Sequence, residues 1–168
     1  MLREIQDDEL QLLDDDPVRP SISVDEKMAN GKVLVVENDG MVDAVICIKF
    51  TNKVPVTEKE LLEEANEIVK EGHESSIAMF YTLWSYKKGS GRTIVFEAQN
   101  WLKENYPDIK RYVTLSPLTE VARRFHLRNG AKELQVNETS QNFEYDIELE
   151  QWEKVLERAK KLFTKKVT

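Results

Sequence analysis

The feature that most limits how this chain can fold lies between residues 76 and 115. An apolar and aromatic run over 76–86 leads directly into the turn Lys87-Lys88-Gly89-Ser90-Gly91-Arg92. Residues 93–105 then carry helical character up to Pro107, and 111–115 read as a second short strand. A strand, a crossover helix and another strand place the two strands parallel in one sheet, since such crossovers are right-handed and pack back on the sheet. Upstream, 32–37 and 41–50 are β-rich runs joined by Asn38-Asp39-Gly40, a strong hairpin signal. A hairpin beside a parallel pair predicts an α/β fold, a mixed sheet with helices on both faces.

Other segments complete that outline. Thr57 and Glu60 form a capping box ahead of Leu61, Leu62, Ala65, Ile68 and Val69 at helical spacing, and Gly72 is a natural stop. Residues 119–129 predict a helix closed by Asn129-Gly130, followed by strands over 131–136 and 143–147. An amphipathic helix is expected over 152–163, with lysines at its C-terminal end. At 168 residues the chain suits one domain over 1–168, with 1–20 as an acidic lead-in and 150–168 as a closing helix. The acids of that lead-in, Asp7, Asp8, Glu9, Asp14, Asp15 and Asp16, read as a solvated surface, and no metal site is expected.

Charge and composition exclude some partners. The chain has 24 basic and 31 acidic residues, a net charge of −7, which repels nucleic acid and anionic membranes. No apolar stretch approaches the ~18 residues needed to cross a bilayer. The lone Cys47 lies in an apolar run without a basic neighbour and reads as a core thiol in a reducing compartment, so a cytoplasmic location is expected. A homodimer stays open.

The chemistry concentrates at two places. In the turn, glycines let the backbone approach a ligand, and the first amides of the helix point outward without intrahelical acceptors. Lys87, Lys88, Gly89, Ser90, Gly91, Arg92 and Thr93 could therefore cradle phosphate oxygens. The alternative is a glycine-rich turn with solvated lysines. The segment is neither a P-loop nor a dinucleotide fingerprint, because it lacks Gly-Lys-Ser/Thr and a third glycine. The second place is His126, whose ordinary pKa suits a general acid near neutral pH. Tyr81 and Tyr86 are candidates for lining a channel, with Trp84 and Trp101 as core, and His73 reads as solvated.

Position by position, the turn resembles the acyl-CoA motif of the GNAT superfamily, with Tyr86 where Gln or Arg is usual. The run Ala122 to Ala131 is similar to that superfamily's second motif, with His126 where a tyrosine is usual. More narrowly, Ala78-Met79-Phe80-Tyr81, Thr114-Leu115-Ser116-Pro117 and Phe125-His126-Leu127-Arg128-Asn129-Gly130-Ala131, with Asn137 beyond, resemble the catalytic domain of malonyl-CoA decarboxylases over residues 76–137. The resemblance implies a GNAT-type fold, coenzyme A or an acyl-CoA thioester as substrate, and a serine and histidine in catalysis, here Ser116 and His126. Decarboxylation leaves an enolate, so the site needs a hydrogen-bond donor for the enolate oxygen, a holder for the departing carboxylate and an acid for the new C–H bond. Acetyl transfer to a small amine, and acyl-CoA binding without catalysis, are the other readings. Ser116 is also a sensible N-cap before Pro117. If a helix ran unbroken from 117 to 126, Ser116 and His126 would stand about 15 Å apart, at ~1.5 Å per residue. Thr114, on the same strand face, is then the nearer partner of His126 by geometry, while Ser116 is its partner by resemblance.

Overall fold

The computed structural model describes residues 1–147 together with 160–161. The strands are β1 (Leu2–Glu4), β2 (Gly31–Asn38), β3 (Met41–Thr51), β4 (Ile77–Ser85), β5 (Arg111–Thr114), β6 (Ser116–Pro117), β7 (Lys132–Val136) and β8 (Ser140–Tyr145). The helices are α1 (Val24–Met28), α2 (Glu58–Glu71), α3 (Ser90–Asn105) and α4 (Glu120–Arg128), with a 3-10 helix over Asp7–Asp15. Lys160 and Lys161 are helical, and the rest of the expected closing helix lies outside the described residues.

The strands form one mixed sheet in the order β1-β2-β3-β4-β5-β8-β6, with β7 on β8. The hairpin β2–β3 turns at Asp39 and Gly40, both with positive φ, as Asn-Asp-Gly foretold. β4 and β5 are parallel, joined through α3. The α3 and α4 face buries Ile46, Ile48, Ala78, Phe80, Ile94, Ala98, Tyr112, Phe143 and Tyr145 in one core. The opposite face buries Val33, Val35, Val45, Cys47, Met79, Tyr81 and Trp84 beneath α2 and the N-terminal segment. Each central strand is covered on both sides, which explains why 77–85 reads as an unbroken apolar run rather than an alternation.

Two irregularities shape the middle of the sheet. Cys47 pairs with Thr82 and Ile48 with Phe80, so Tyr81 is an extra residue, a β-bulge in β4. Bulges bend a strand and increase its twist. The parallel register of β4 and β5 runs from Ile77↔Arg111 to Phe80↔Thr114, followed by one further bond from the Leu115 amide to the Phe80 carbonyl. Beyond the bulge the two strands part. β4 continues along β3, while Ser116 and Pro117 turn away to pair with Gln141 and Ser140 of β8.

The acidic lead-in is not simply solvated. Glu9 makes a two-pronged salt bridge with Arg3 on β1. Asp16 is buried: one carboxylate oxygen accepts the Val18 and Arg19 amides and the Thr82 hydroxyl, and the other lies 3.0 Å from the buried Lys27 ammonium. Lys27 also donates to the Arg19 and Ile22 carbonyls. The helix after β6 runs over Glu120–Arg128 between the caps Thr119 and Asn129, as the sequence predicts. Thr119, not Ser116, is its N-cap, accepting the Ala122 amide. Proline lacks the N–H a helix or inner strand would use, and Pro117 sits instead in a two-residue edge strand. The Gln141 side chain fixes that bend by donating to the Pro117 and Thr119 carbonyls.

The Asp16–Lys27 pair has an expected signature. Asp16→Ala leaves a buried ammonium unpaired, and stability measured by urea unfolding should fall by about 3–5 kcal/mol. Adding Lys27→Met should recover most of that loss. A double variant no more stable than the single one would show that the charge pair is not the source.

Candidate active site

Where β4 and β5 part, a cavity of about 490 Å³ opens toward the N-terminus of α3. Phe80, Leu83 and Trp84 form one wall, Ser116 and Pro117 another, Phe125 and His126 of α4 a third, and Pro17 and Val18 a fourth. Arg19 stitches the deep end of the gap, reaching from the Tyr81 carbonyl (3.4 Å) to the Leu115 carbonyl (3.1 Å) while its guanidinium also meets Glu58 (3.2 Å). Another cavity of about 480 Å³, between the C-terminal ends of α2 and α3, contains none of the candidate residues.

The glycine turn adjoins the first cavity. α3 begins at Ser90, three residues before the helix expected from sequence. Gly89 precedes it at φ 87°, a conformation side-chain-bearing residues rarely adopt. The Ser90 amide bonds the Lys87 carbonyl and the Thr93 amide bonds the Gly89 carbonyl. The Gly91 and Arg92 amides lie in the first turn, where a helix has no internal acceptor to offer. Lys87 and Lys88 are exposed, and Arg92 lies over the Phe96 ring at 5.5 Å. Gly91 lines the cavity, and a Cβ there would meet Leu83 and Phe125 at 3.6 Å, ordinary contact distance, so that a larger side chain would take up cavity space. This combination of amides, helix dipole and three cations is suited to an anion. Tyr86 turns from it: its hydroxyl donates to Asp15 and accepts from the Trp84 indole.

Ser116 and His126 line the same cavity, which the break before α4 allows. Thr114 lies behind Ser116 and does not line it. Its hydroxyl is 2.8 Å from the Ser116 hydroxyl and accepts the Phe143 amide at 3.0 Å, so its bonds run to β6 and β8 rather than to His126. The hydrogen-bond partner of His126 is Tyr145, with Nδ1 2.8 Å from the phenol oxygen. Phe143 stacks on the imidazole at 5.3 Å and Phe125 meets its edge at 5.1 Å. Burial among these rings pushes the His126 pKa down to about 4. The ring is therefore neutral near pH 7, which corrects the expectation of an acid poised at working pH. Burial also holds the Tyr145 phenol far above its ordinary range, so it stays protonated. With Nδ1 engaged, Nε2 is the nitrogen left for a ligand.

Sequence reasoning did not find Tyr145, Gln141, Asn142, Asp16 or Arg19. Phe143 and Tyr145 share a strand face by alternation, but nothing local links them to a histidine 19 residues earlier. Cys47 is fully buried with its thiol pushed up to about 12, in keeping with a core role. His73 is exposed beside Glu71. Among the described residues no His, Cys, Asp and Glu cluster is arranged to hold a metal, and no helix is long and apolar enough to cross a membrane.

A mixed sheet parted between two central parallel strands, with a glycine-turned helix N-terminus beside the gap, is the GNAT-type fold. Malonyl-CoA decarboxylases and N-acetyltransferases share it with this chain. Malonyl-CoA decarboxylase from Rhodopseudomonas palustris superposes with a TM-score of 0.71 at 14% identity, covering 95% of this chain and 63% of its own. The chain thus spans less than two thirds of that decarboxylase. GphF, a GNAT-like decarboxylase in complex with isobutyryl-CoA, superposes with a TM-score of 0.67 at 11% identity, over 88% of this chain and 99% of its own. The paia N-acetyltransferase from Thermoplasma acidophilum, in complex with coenzyme A, gives 0.58 at 13%, over 87% and 98%. No protein-family model matches the sequence, and no curated protein is significantly similar to it.

His126 gives the fold a pH dependence of known sign. Its folded pKa lies near 4 against an ordinary value of 6.5, so between these values the unfolded chain binds the extra proton. Stability is intact above the upper value and falls as the pH drops through the window, by roughly 3 kcal/mol at its end. Denaturant unfolding across that window should show the slope in the native protein and lose this part of it in His126→Phe. Equal slopes in the two proteins would mean that the imidazole titrates normally.

Proposed function

We propose that this chain binds an acyl-CoA thioester in the cavity between β4 and β5 and decarboxylates a malonyl-type acyl group. The observation that carries the reading is the meeting of Ser116 and His126 in one cavity beside the N-terminal turn of α3. Coenzyme A is the substrate's carrier here, and no metal is called for. Its phosphates would rest on the first amides of α3 with Lys87, Lys88 and Arg92. The pantetheine arm would lie along the β4 edge that β5 leaves unpaired, carrying the thioester into the cavity. There the bond between the carboxyl carbon and the α-carbon breaks, carbon dioxide departs, and the electron pair passes into the thioester as an enolate.

His126 acts on that enolate as a neutral imidazole. A preorganised N–H donor in a dry site stabilises charge that develops on an oxygen, and neutral imidazole has a precedent in such an electrophilic role. With the Tyr145 hydroxyl donating to Nδ1, the imidazole would carry its proton on Nε2; the enolate carbon is basic enough to take that proton, solvent restores it, and the net reaction consumes one proton. Ser116, on the adjoining wall, would hold the carboxylate before it leaves. The GNAT-like decarboxylase bound to an acyl-CoA, with the same fold over nearly its whole length, supports this reading.

Acetyl transfer to a small amine is the second reading, favoured by the fold shared with the Thermoplasma acetyltransferase. It needs a base for the incoming ammonium, and the depressed basicity of His126 weakens it.

Incubation with malonyl-CoA should yield acetyl-CoA and carbon dioxide, while acetyl-CoA with a polyamine panel should yield no acetylated amine. The reverse result would establish the second reading. Thermal shift with coenzyme A alone should raise the melting temperature by mass action. Gly91→Val should abolish that shift, its methyls filling the space beside Leu83 and Phe125, and Lys87→Glu/Lys88→Glu should weaken it. A shift without turnover of either thioester would leave a non-catalytic binder.

His126→Ala is expected to reduce decarboxylation by about 10²–10⁴ with coenzyme A affinity near the native value, since the phosphates sit at another helix. Native turnover in this variant would reduce His126 to a structural histidine.

A further inference from the structure

The direction of one hydroxyl proton says what kind of group the Ser116 wall receives. Thr114 has no exposure to solvent and Ser116 almost none. Among the described residues, the Thr114 hydroxyl meets two groups, the Phe143 amide at 3.0 Å and the Ser116 hydroxyl at 2.8 Å. The amide can only donate, so it occupies one lone pair of Thr114 Oγ1. The threonine proton must then go to Ser116 Oγ. Were Ser116 to donate instead, Thr114 would accept two bonds with its own proton stranded in a dry core, at the cost of an unsatisfied buried donor. Ser116 Oγ therefore accepts, and among the described residues its own proton meets no acceptor and faces the cavity that Ser116 lines.

We infer that Thr114 is a positioning residue that commits Ser116 to donate into the cavity, so that the site takes an acyl group ending in an acceptor-only anion, a carboxylate. The inference rests on the reading of the cavity as an acyl-thioester site. The chain of donors runs Phe143 N–H, Thr114 O–H, Ser116 O–H, and each link polarises the next. The bends on either side are fixed by β8: Asn142 donates to the Thr114 carbonyl at 2.8 Å, and Gln141 holds the carbonyls of Pro117 and Thr119. An ammonium group, which only donates, could use only the second lone pair of Ser116 Oγ and would leave the serine proton without an acceptor.

The test separates carboxylate recognition from turnover by working in the His126→Ala background. Calorimetry gives the affinities for malonyl-CoA and acetyl-CoA, two thioesters that differ by the carboxylate. Thr114→Val should reduce the preference for malonyl-CoA about tenfold, the scale of one hydrogen bond to a charged group, with acetyl-CoA affinity unchanged. Thr114→Ser, which restores the hydroxyl, should restore the preference. An undiminished preference in Thr114→Val overturns the proposal, and so does failure of Thr114→Ser to rescue it. Should Thr114→Val not fold, Ser116→Ala reads the same ratio: its fall supports the donor assignment, and an unchanged ratio refutes it. If the native protein does not decarboxylate malonyl-CoA yet the ratio falls with these variants, the carboxylate site stands and the decarboxylase reading is what fails.

Discussion

Everything at the site depends on two parallel strands ceasing to pair. Up to Phe80 and Leu115, β4 and β5 satisfy one another's backbone groups. The extra residue Tyr81 then bends β4, while Ser116 is captured by β8. A gap in the middle of a sheet leaves polar backbone unsatisfied, which a fold tolerates only where something else meets those groups. Arg19 donates to two buried carbonyls at the deep end, those of Tyr81 and Leu115. The remaining gap is the cavity.

Around that gap the fold spends its buried polar groups in an ordered way. β8 supplies Gln141 and Asn142, whose amides hold the β5–β6 bend and the entry to α4, and Tyr145, which holds the imidazole. The same strand thus fixes both candidate residues from behind. Opposite it, Asp16 organises the Pro17–Val18 wall through three accepted hydrogen bonds and an ion pair. Buried charge pairs rarely add stability over apolar packing, so its presence here is better understood as fixing a wall's position.

Much of this was legible in the sequence because it is local. The run at 77–85, the glycine turn, the N-cap at Thr57 and the hairpin at Asp39-Gly40 each encode their geometry within a few residues, although Glu60 accepts the Val56 amide and so does not close the expected capping box. The sequence pattern starts β8 at residue 143 because Ser140, Gln141 and Asn142 are polar; they are buried for their hydrogen bonds, which a hydrophobicity pattern cannot register. Ser116 was a plausible helix cap for the same reason in reverse, since only its pairing with Gln141 reveals the edge strand. Placing His126 and Ser116 in the sequence was straightforward, but the depressed histidine pKa was not, because it comes from rings at 125, 143 and 145 that tertiary structure brings together. The buried role of Asp16 was hidden among five neighbouring acids that are largely exposed.

The Arg19 stitch has a consequence for how the molecule comes into being. Its bond to Leu115 spans 96 residues, and the Asp16 bond to Thr82 spans 66. Contacts this distant in the chain are slow to form, because the loop-closure entropy is lost before any packing offsets it. The wall facing Ser116 therefore assembles only when the first and last thirds of the domain have met. During synthesis the α3 turn emerges with its cations well before the cavity exists. Competence to hold a thioester consequently arrives with the completed fold rather than with any of its parts.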